Sequence, residues 1–427
     1  MNICVVALGK IGLPLAVQFA TKGHRVVGAD VSERVVDLVN DGAVPFPGEA
    51  DLDVKLKEVV EAGLLSATTD TAAAVAQSEA VVLVVPLFVD ADGVPDFGWM
   101  DSATRAVAAG LKPGTLVSYE TTLPVGTTRN RFATMLAEGS GLTPGRDFTL
   151  VFSPERVLTG RVFADLRRYP KLVGGIDEES ARRGVAFYEA VLDFDERDDL
   201  PRPNGVWDLG SAEAAELAKL AETTYRDVNI GLANQFARFA DSVGVDVVKV
   251  IEACNTQPYS HIHQPGIAVG GHCIPVYPRM YLWNDPAATV VRAAREANAA
   301  MPEYAVGLLE AGYGDLAGVS VLVLGAAYRG GVKETAFSGV FGTVEALRRR
   351  GAQPFVSDPM YTVDELAALG LPPHQGEPVT AAVVQADHVE YRTLSASDLP
   401  DVRVLVDGRR VTDQARWAGV RRLVIGG

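Results

Sequence analysis

The sequence predicts an α/β protein with two Rossmann-like, doubly wound domains joined by a helical central domain that contains one long helix. Three observations support this. Short β-rich segments alternate with helical segments near the N-terminus, the same strand–turn–helix pattern restarts at Val319, and residues 211–243 between them contain no proline. Strands that alternate with helices of this length are typical of βαβ units around a parallel sheet.

In the first domain, predicted over residues 1–205, four apolar β-rich segments indicate strands: Asn2–Ala7, His24–Asp30, Ala80–Pro86 and Thr115–Tyr119. The segments between them place apolar residues near a 3.6-residue period, which indicates helices over Leu13–Lys22, Ser32–Asn40 and Ser102–Gly110. Two further segments, Thr149–Ser153 and Lys171–Gly174, are expected to extend the same sheet.

The central domain is predicted over residues 206–312. Ser211 is a suitable N-cap for a long helix that reaches Val243, and a second helix is predicted over Ala287–Glu310 with a kink at Pro302. Between these helices, Cys254–Pro278 is rich in glycine, proline and histidine, and a loop of this length in a compact domain is usually functional.

The third domain, over residues 313–427, repeats the α/β pattern. The segment VSVLVLGAAY predicts a strand, Gly339–Arg350 a helix and Gln353–Asp358 the next strand. With 427 residues in total, three domains agree with the usual domain size of about 150 residues.

Composition excludes several classes of function. The 39 Lys and Arg residues against 54 Asp and Glu residues give a formal charge of −15, which argues against binding to nucleic acid or to anionic membranes. Three cysteines cannot form a disulfide framework, no metal-binding spacing is present, and no apolar run reaches the length of a membrane span. We therefore expect a cytoplasmic enzyme without a metal.

The first turn, Ala7-Leu-Gly9-Lys-Ile-Gly12, follows a strand and opens a helix, as a dinucleotide-binding fingerprint does. Gly9 would let the backbone approach a pyrophosphate, and Gly12 would let the helix pack close to the sheet. Ala7 replaces the first glycine of the fingerprint, and alanine suits that position only if its φ is ordinary. Asp30, about 20 residues on, would bind the ribose hydroxyls and favour NAD over NADP. The alternative is a glycine-rich packing turn.

Cys273 follows paired glycines, which leave room for a ligand against the backbone, and a thiol in such a loop is well placed to react. Cys4 and Cys254 are expected to be buried. On the long helix, Lys219, Thr223 and Arg226 share one face. The apolar positions around that face are expected to leave little of the helix exposed; they are Leu217, Leu220, Ile230, Leu232 and Phe236.

These residues belong to a set of motifs that resembles the UDP-glucose/GDP-mannose dehydrogenase family over essentially the whole chain. The motifs stand in family order: GKIGLPLA at 9–16, TTLPVGTT at 121–128, SPERVLTG at 153–160, KLAETTYRDVNIGLANQF at 219–236, GGHCIPVYP at 270–278 and LGAAYRGGVKET at 324–335. Within the family, SPERVL, RDVNI and GGHC are most similar to the UDP-N-acetylhexosamine branch.

The resemblance implies a four-electron oxidation of the C6 hydroxyl of a UDP-sugar, with NAD as the cofactor and Cys273 forming a thiohemiacetal and then a thioester. It implies catalytic roles for Cys273, Lys219, Glu155 and Thr122. The cofactor would contact Gly9, Lys10, Ile11, Gly12, Asp30, Arg34, Pro86 and Thr122, and the sugar nucleotide would contact Leu158, Lys219, Thr223, Gly270 and Arg329. A homodimer through the long helix is also implied, with Ile230, Phe236 and Phe239 shared between the two chains.

Several positions depart from the family pattern. Thr223 stands where asparagine is usual, Tyr277 where aspartate is usual, and Ala336 where arginine is common. Leu87 replaces a threonine. The alternatives are therefore a UDP-glucose 6-dehydrogenase, a two-electron hydroxy-acid dehydrogenase that does not need Cys273, and a sugar-nucleotide-binding protein with impaired catalysis.

Overall fold

The computed structural model describes residues 1–90 and 93–427. These residues form two compact units, 1–221 and 222–427. The boundary between the units lies inside the predicted long helix, which runs over Ala212–Val243. Ser211 caps it as predicted, since its Oγ accepts a hydrogen bond from the Ala214 N–H at 3.1 Å. The predicted domain boundaries after residues 205 and 312 stay predictions.

The described strands of the first unit are β1 (Asn2–Val6), β2 (Arg25–Ala29), β3 (Leu65–Thr68), β4 (Ala80–Leu83), β5 (Phe88–Val89), β6 (Pro95–Asp96), β7 (Leu116–Tyr119), β8 (Thr149–Phe152), β9 (Lys171–Gly175) and β10 (Val206–Asp208). Its helices are α1 (Gly12–Thr21), α2 (Glu33–Asn40), α3 (Leu52–Glu61), α4 (Thr71–Val75), α5 (Gly98–Gly110), α6 (Ala133–Ser140), α7 (Val162–Arg168), α8 (Glu178–Val191) and the start of α9 (Ala212–Val243), with a π-helical turn over Thr128–Phe132.

Eight of these strands form one sheet in the order β10-β9-β8-β7-β4-β1-β2-β3. Six neighbouring strands of this sheet, β8, β7, β4, β1, β2 and β3, run parallel to one another, which confirms the predicted βαβ arrangement. β9 extends the sheet as expected but runs antiparallel to β8, and β10 runs parallel to β9. The short strands β3 and β10 were not predicted, because their few residues carry no clear apolar pattern.

Both faces of this sheet are buried. Ile3 and Val5 of β1 belong to one apolar cluster, whereas Cys4 and Val6 belong to another on the opposite face. Successive side chains of a strand point to opposite faces, so a strand buried on both sides is largely apolar, and the buried Ser118 hydroxyl of β7 is hydrogen-bonded to the Tyr188 hydroxyl at 2.7 Å. Burial accordingly raises the pKa of Cys4 to about 12, which makes this thiol unreactive.

The second unit holds a five-stranded parallel sheet in the order β12-β11-β13-β14-β15. Its strands are β11 (Ser320–Leu324), β12 (Gln353–Ser357), β13 (Ala381–Val384), β14 (Val404–Asp407) and β15 (Arg421–Val424). Its helices are the rest of α9, α10 (Val247–Cys254), α11 (Tyr277–Asn284), α12 (Thr289–Ala299), α13 (Met301–Tyr313), α14 (Val340–Arg349) and α15 (Val363–Ala368), with 3-10 turns over Val389–Arg392 and Gln414–Trp417.

Helical residues cover one face of this second sheet. Ala237 of α9, Val247 of α10 and Leu309 of α13 are buried in the same apolar cluster as Val321 and Val383 of the sheet. The strand–helix–strand unit predicted at the start of this sheet is confirmed, since β11, α14 and β12 form at the predicted positions. None of the helices within 1–90 and 93–427 is long and apolar enough to cross a membrane.

Three expectations about the helical segments are wrong. The helix predicted over Ala287–Glu310 is broken at Ala300 into α12 and α13, and Pro302 lies in the first turn of α13, where its missing N–H costs no hydrogen bond. Cys254 is only partly buried. Helix α9 has exposed apolar side chains, contrary to the expectation that little of it is exposed: Leu217 (44%), Leu232 (45%) and Phe236 (39%).

Candidate active site

Residues predicted to bind the cofactor follow four adjacent strands of the first sheet. Gly9 lies in the turn after β1, Asp30 directly after β2, Pro86 after β4 and Thr122 after β7, and these strands are neighbours in the order β7-β4-β1-β2. Parallel strands end at the same edge of a sheet, so the four residues share that edge. The connections leave β1 and β4 in opposite directions, and ligands of open α/β sheets bind at such a switch point.

The turn after β1 has the geometry of a pyrophosphate-binding loop. A Cβ on Gly9 would meet no atom within 4 Å, so the backbone is open there. A Cβ on Gly12 would lie 1.9 Å from the carbonyl oxygen of Ala7, so only glycine allows α1 to begin this close to β1. The condition stated for an alanine at this position, an ordinary φ, is not met: the φ of Ala7 is 75°, in the left-handed region that glycine favours. Ala7 takes the glycine conformation because the turn imposes it.

Asp30 is fixed beside this turn. One carboxylate oxygen accepts from the Leu8 N–H at 2.8 Å, and the other accepts from the Ser32 N–H at 2.9 Å. Ile11 directly precedes α1, Lys10 is exposed in the turn, and Arg34 is exposed in the first turn of α2; Pro86 is exposed as well. An open glycine turn, a helix N-terminus and a fixed carboxylate together fit a dinucleotide with free ribose hydroxyls.

Thr122 is buried, with 5% of its surface exposed, in the segment TTLPVGTT. A residue that sequence reasoning missed holds the end of this segment: Glu216, in the first turns of α9. Its carboxylate accepts from the N–H of Gly126 at 2.5 Å, from the N–H of Thr128 at 2.8 Å and from the Thr128 hydroxyl at 2.7 Å. Burial nevertheless raises the pKa of Glu216 to about 7.

Glu155 and Lys219 lie together in the first unit. The Lys219 ammonium, which is 9% exposed, donates to the backbone oxygen of Glu155 at 2.7 Å. The Glu155 carboxylate pairs with the ammonium of Lys171, which also pairs with Glu120 at 2.8 Å. The sequence analysis did not select Lys171 or Glu120. Lys171 could have been selected, because it is the one charged residue of an otherwise apolar predicted strand.

The SPERVLTG loop that contains Glu155 is fixed by two carboxylates. Glu49 accepts from the N–H groups of Gly160 and Val162 at 2.6 and 2.7 Å and so caps α7. Asp165 accepts from the Leu158 N–H at 3.0 Å. The Leu158 side chain itself is half exposed, which is compatible with contact to a ligand.

In the second unit, Cys273 is exposed, and its carbonyl oxygen accepts from the Tyr277 N–H at 2.9 Å at the start of α11. The expectation that the paired glycines leave room for a ligand is only partly right. A Cβ on Gly270 would lie 2.5 Å from the Tyr328 Cβ, and a Cβ on Gly271 would lie 3.1 Å from the Tyr328 ring. The space that these side chains would need is therefore taken by Tyr328.

The C-terminal part of α9 holds the loop that leads to Cys273. Asn229 donates to the His261 carbonyl at 2.7 Å and accepts from the His263 N–H at 3.0 Å. Asn234 accepts from the Gly266 N–H at 2.9 Å. Sequence reasoning noted the motif RDVNIGLANQF but assigned no role to these asparagines. Because this loop has no regular secondary structure, these side chains supply hydrogen bonds to its backbone.

A buried polar group supports Asn234 in turn. The Asn298 side chain accepts from Asn234 at 2.8 Å and donates to the Asp227 carboxylate at 2.8 Å, and Arg295 donates to the same Asp227 oxygen at 2.5 Å. Burial raises the pKa of Asp227, and Arg295 opposes this shift. Thr223, one turn before Asp227, is buried with 6% exposure.

Arg329 lies in the loop after β11, and its Nε donates to the Tyr328 hydroxyl at 3.2 Å. The start of the loop is held by Asp358, whose Oδ2 accepts from the N–H groups of Ala326 and Ala327 at 2.7 and 3.0 Å and lies 3.0 Å from His388 Nε2. Burial opposes ionisation of Asp358, but these hydrogen bonds outweigh it and lower its pKa. Arg329 is thus presented by a rigid loop at the carboxyl edge of the second sheet.

Known proteins match the chain over nearly its whole length. The sequence models of the UDP-glucose/GDP-mannose dehydrogenase family match residues 1–192 (NAD binding domain), 213–300 (central domain) and 322–414 (UDP binding domain). The UDP-N-acetyl-D-mannosamine dehydrogenase of Pyrococcus horikoshii is 35% identical over 96% of both chains. The NDP-N-acetyl-D-galactosaminuronic acid dehydrogenase of Ralstonia nicotianae is 30% identical over 98% of this chain and 97% of its own length.

A solved structure of the UDP-D-ManNAc dehydrogenase from Pyrococcus horikoshii matches with a TM-score of 0.87 and 33% identity, and the match covers 100% of this chain and 99% of the other. The fold, the glycine turn and the fixed aspartate define an NAD-dependent dehydrogenase. The chain belongs to the UDP-glucose/GDP-mannose dehydrogenase family, which confirms the resemblance seen in its motifs.

We expect Ala7→Gly to stabilise the protein, because alanine in the left-handed region costs about 1 kcal/mol and glycine does not. Thermal unfolding should show a rise in Tm of about 2 °C. The matched control is Ala16→Gly in the middle of α1, where glycine should lower the Tm. A fall in Tm for both variants would contradict a strained Ala7.

Glu216 should make stability depend on pH. The folded protein binds this proton more tightly than the unfolded chain does, so stability should fall by about 3 kcal/mol as the pH rises from about 4.5 to about 7. In Glu216→Gln this contribution is absent, and the Tm of the variant relative to wild type should increase between pH 5 and pH 8.

The neighbouring Glu213 provides the control for this series. Its pKa is lowered, chiefly by a hydrogen bond from Arg129, so Glu213→Gln should differ from wild type by a constant amount between pH 5 and pH 8. Parallel Tm curves for wild type and Glu216→Gln over this range would show that Glu216 does not titrate there.

Proposed function

We propose that the protein oxidises the C6 hydroxyl of a UDP-N-acetylhexosamine to a carboxylate in two NAD-dependent steps, with Cys273 carrying the covalent intermediate. The observation that carries this proposal is the exposed Cys273 thiol at the end of a loop that α9 holds in place, in a member of a dehydrogenase family. Cys4 is buried and not available for such chemistry.

When NAD is bound, it accepts one hydride in each of the two oxidations. The first oxidation converts the C6 alcohol to an aldehyde with loss of the hydroxyl proton. The Cys273 sulfur attacks the aldehyde carbon, the aldehyde oxygen takes up a proton to give a thiohemiacetal, and loss of a second hydride from C6 together with the proton of the thiohemiacetal hydroxyl leaves a thioester. Water then attacks the thioester carbon, the C–S bond breaks, and the C6 carboxylate and the Cys273 thiol are released.

The polar residues of the first unit suit the steps that involve oxygen. Lys219 is a buried cation, and we assign to it the stabilisation of negative charge on the C6 oxygen. Glu155 carries a carboxylate suited to take the proton of the hydrolytic water, and the buried Thr122 would position that water. Both relatives named above act, by name, on N-acetylated sugars, which favours a UDP-N-acetylhexosamine over UDP-glucose.

Substrate contacts of the second unit follow from the same proposal. Arg329 would bind the diphosphate from its rigid loop, and Gly270 would present its backbone to the sugar. Thr223 and Leu158 complete the proposed set of contacts. Three positions differ from the usual family residues: Thr223, Tyr277 and Ala336. The identity of the sugar is therefore to be determined by assaying a panel of UDP-sugars.

The decisive assay supplies purified protein with NAD and, in turn, the UDP derivatives of N-acetylmannosamine, N-acetylgalactosamine, N-acetylglucosamine and glucose. We expect two NADH per sugar, measured at 340 nm, and an acidic product. Cys273→Ser should lose at least about 100-fold in turnover, because the covalent step needs a thiolate. Cys254→Ser is the matched control and should keep full activity.

One NADH per sugar, or full turnover by Cys273→Ser, would exclude the thioester pathway. Binding of UDP-sugars without any NADH, seen as a rise in Tm, would instead indicate a binding protein with impaired catalysis. Exclusive turnover of UDP-glucose would retain the mechanism and change the substrate.

We also propose that the protein is a homodimer through α9. Apolar side chains of this helix recur at intervals of seven, four, three and four residues and are 39–65% exposed: Tyr225, Leu232, Phe236, Phe239 and Val243. Such a stripe is the pattern of a helix that packs against another helix. A second copy of α9 in antiparallel register would offer an equal stripe, as the two-fold symmetry of a homodimer requires.

Phe239→Glu should convert the dimer to a monomer, because it places a charge in the middle of the stripe. Light scattering after size-exclusion chromatography should give twice the mass of a 45.3 kDa chain for wild type and a single chain mass for the variant. Val363→Glu, at an exposed position of α15, should remain dimeric. A monomeric wild type would refute the dimer.

A further inference from the structure

A buried ionic cluster surrounds Glu155, and its other members have no part in the mechanism proposed so far. Its members are Glu155, Lys171, Glu120 and Tyr188. The Lys171 ammonium, 5% exposed, pairs with both carboxylates, at 2.8 Å in the case of Glu120. The Tyr188 hydroxyl donates to the other oxygen of Glu120 at 2.6 Å. Burying a charge costs free energy, so a cluster of three buried charges is expected to have a structural or functional role.

The reversed direction of β9 creates this cluster. β9 pairs with β8 so that Gly174 lies opposite Phe152 and Gly175 opposite Val151. Continued by three residues, this register sets Lys171, the first residue of β9, opposite Glu155. In a parallel strand the first residue would lie at the other edge of the sheet. Glu120 reaches the same place because it follows β7, the neighbour of β8.

We propose that Lys171 is a positioning residue for Glu155 in thioester hydrolysis and that Glu120 sets how strongly Lys171 holds the Glu155 carboxylate. This inference rests on the proposed function. In the step concerned, one water molecule gives a proton to the Glu155 carboxylate, its oxygen bonds to the thioester carbon, and the C–S bond breaks to release Cys273. Lys171 keeps Glu155 ionised and correctly oriented to accept that proton.

The charges around Glu155 support a balance of this kind. Burial lowers the pKa of Lys171, Glu120 opposes this shift, and repulsion from Lys219 adds to it. Lys171 therefore divides one positive charge between two carboxylates. The titratable groups around this cluster are Glu120 from the end of β7, Lys171 from β9, Tyr188 from α8 on Glu120, Lys219 from α9 on the Glu155 backbone oxygen, and Arg156, Asp165 and Tyr169 around the adjoining cleft.

Two substitutions should therefore shift the pH dependence of hydrolysis in opposite directions. In Lys171→Met, Glu155 loses its counter-ion and faces Glu120, so the acidic limb of the rate profile should move up by about 1 pH unit. In Glu120→Gln, Lys171 pairs with Glu155 alone, so the acidic limb should move down. A role in packing alone gives no reason for shifts of opposite sign.

The hydrolysis step can be followed directly. A single turnover of the full-length enzyme with NAD and UDP-N-acetylmannosamine, or whichever UDP-sugar the panel selects, is quenched with acid at intervals, and intact mass spectrometry measures the fraction of chain that carries a sugar. Decay of this adduct should be about 10-fold slower in Lys171→Met than in wild type at neutral pH. The rate of NADH formation should change much less, and Lys171→Arg should recover most of the decay rate.

Controls separate this inference from folding and from the proposed function. Lys171→Met leaves Glu120 unpaired, so the double variant Glu120→Gln/Lys171→Met tests hydrolysis in a neutral cluster if the single variant fails to fold; slow adduct decay is expected there too. Cys273→Ala should form no adduct. Wild-type decay rates in all folded variants, or shifts of the same sign in both single variants, would refute the role of Lys171. A wild type without adduct or NADH would refute the proposed function instead.

Discussion

The burial of both faces of the eight-stranded sheet is the constraint on which the rest of the first unit depends. Strands enclosed on both sides are largely apolar, as the alternation of Ile3 and Val5 against Cys4 and Val6 shows. The charged and glycine-rich segments of the proposed site therefore lie beyond the ends of these strands. Gly9, Asp30, Thr122 and Glu155 all follow strand ends at one edge, so a single constraint of solvation brings the cofactor turn and the proposed base to the same side.

Helix α9 gives order to segments that have no regular structure of their own. Its first turns supply Glu216 to the TTLPVGTT segment and Lys219 to the Glu155 loop, and its later turns supply Asn229 and Asn234 to the loop before Cys273. Each contact satisfies backbone groups that no sheet or helix would otherwise satisfy. Since the helix is one continuous element, substitutions along it are expected to affect the site and the stability together.

Much of the fold followed from the sequence. Continuous apolar β-rich segments located eight of the thirteen strands of the two sheets, a 3.6-residue period located helices such as α1, α2 and α14, and glycine spacing located the cofactor turn. The short strands β3 and β10 were not predicted because their few residues carry too little pattern, and no prediction was made for β13, β14 and β15. The break at Ala300 was read as a kink because a proline alone does not reveal whether it bends a helix or begins one.

The site was predicted less completely, because a motif names residues and not their partners. Asp30 and Gly12 could be assigned from their positions after β2 and before α1, whereas Glu216, Glu120 and Lys171 find their partners 16 to 90 residues away in the sequence. The left-handed φ of Ala7 could not be predicted from the sequence, since the strain that a turn imposes depends on how closely the helix approaches the strand.

The sequence by itself determined the α/β class, the preference for NAD and the family, because these depend on local periodicity, on one acidic residue at a strand end and on ordered motifs. Only the tertiary structure decided which charges are paired. The direction of β9 is not encoded in its own apolar residues, yet it sets Lys171 against Glu155 and Glu120. Long-range pairing of this kind arises from the packing of strands, and its energetics depend on burial that appears only when the chain is folded.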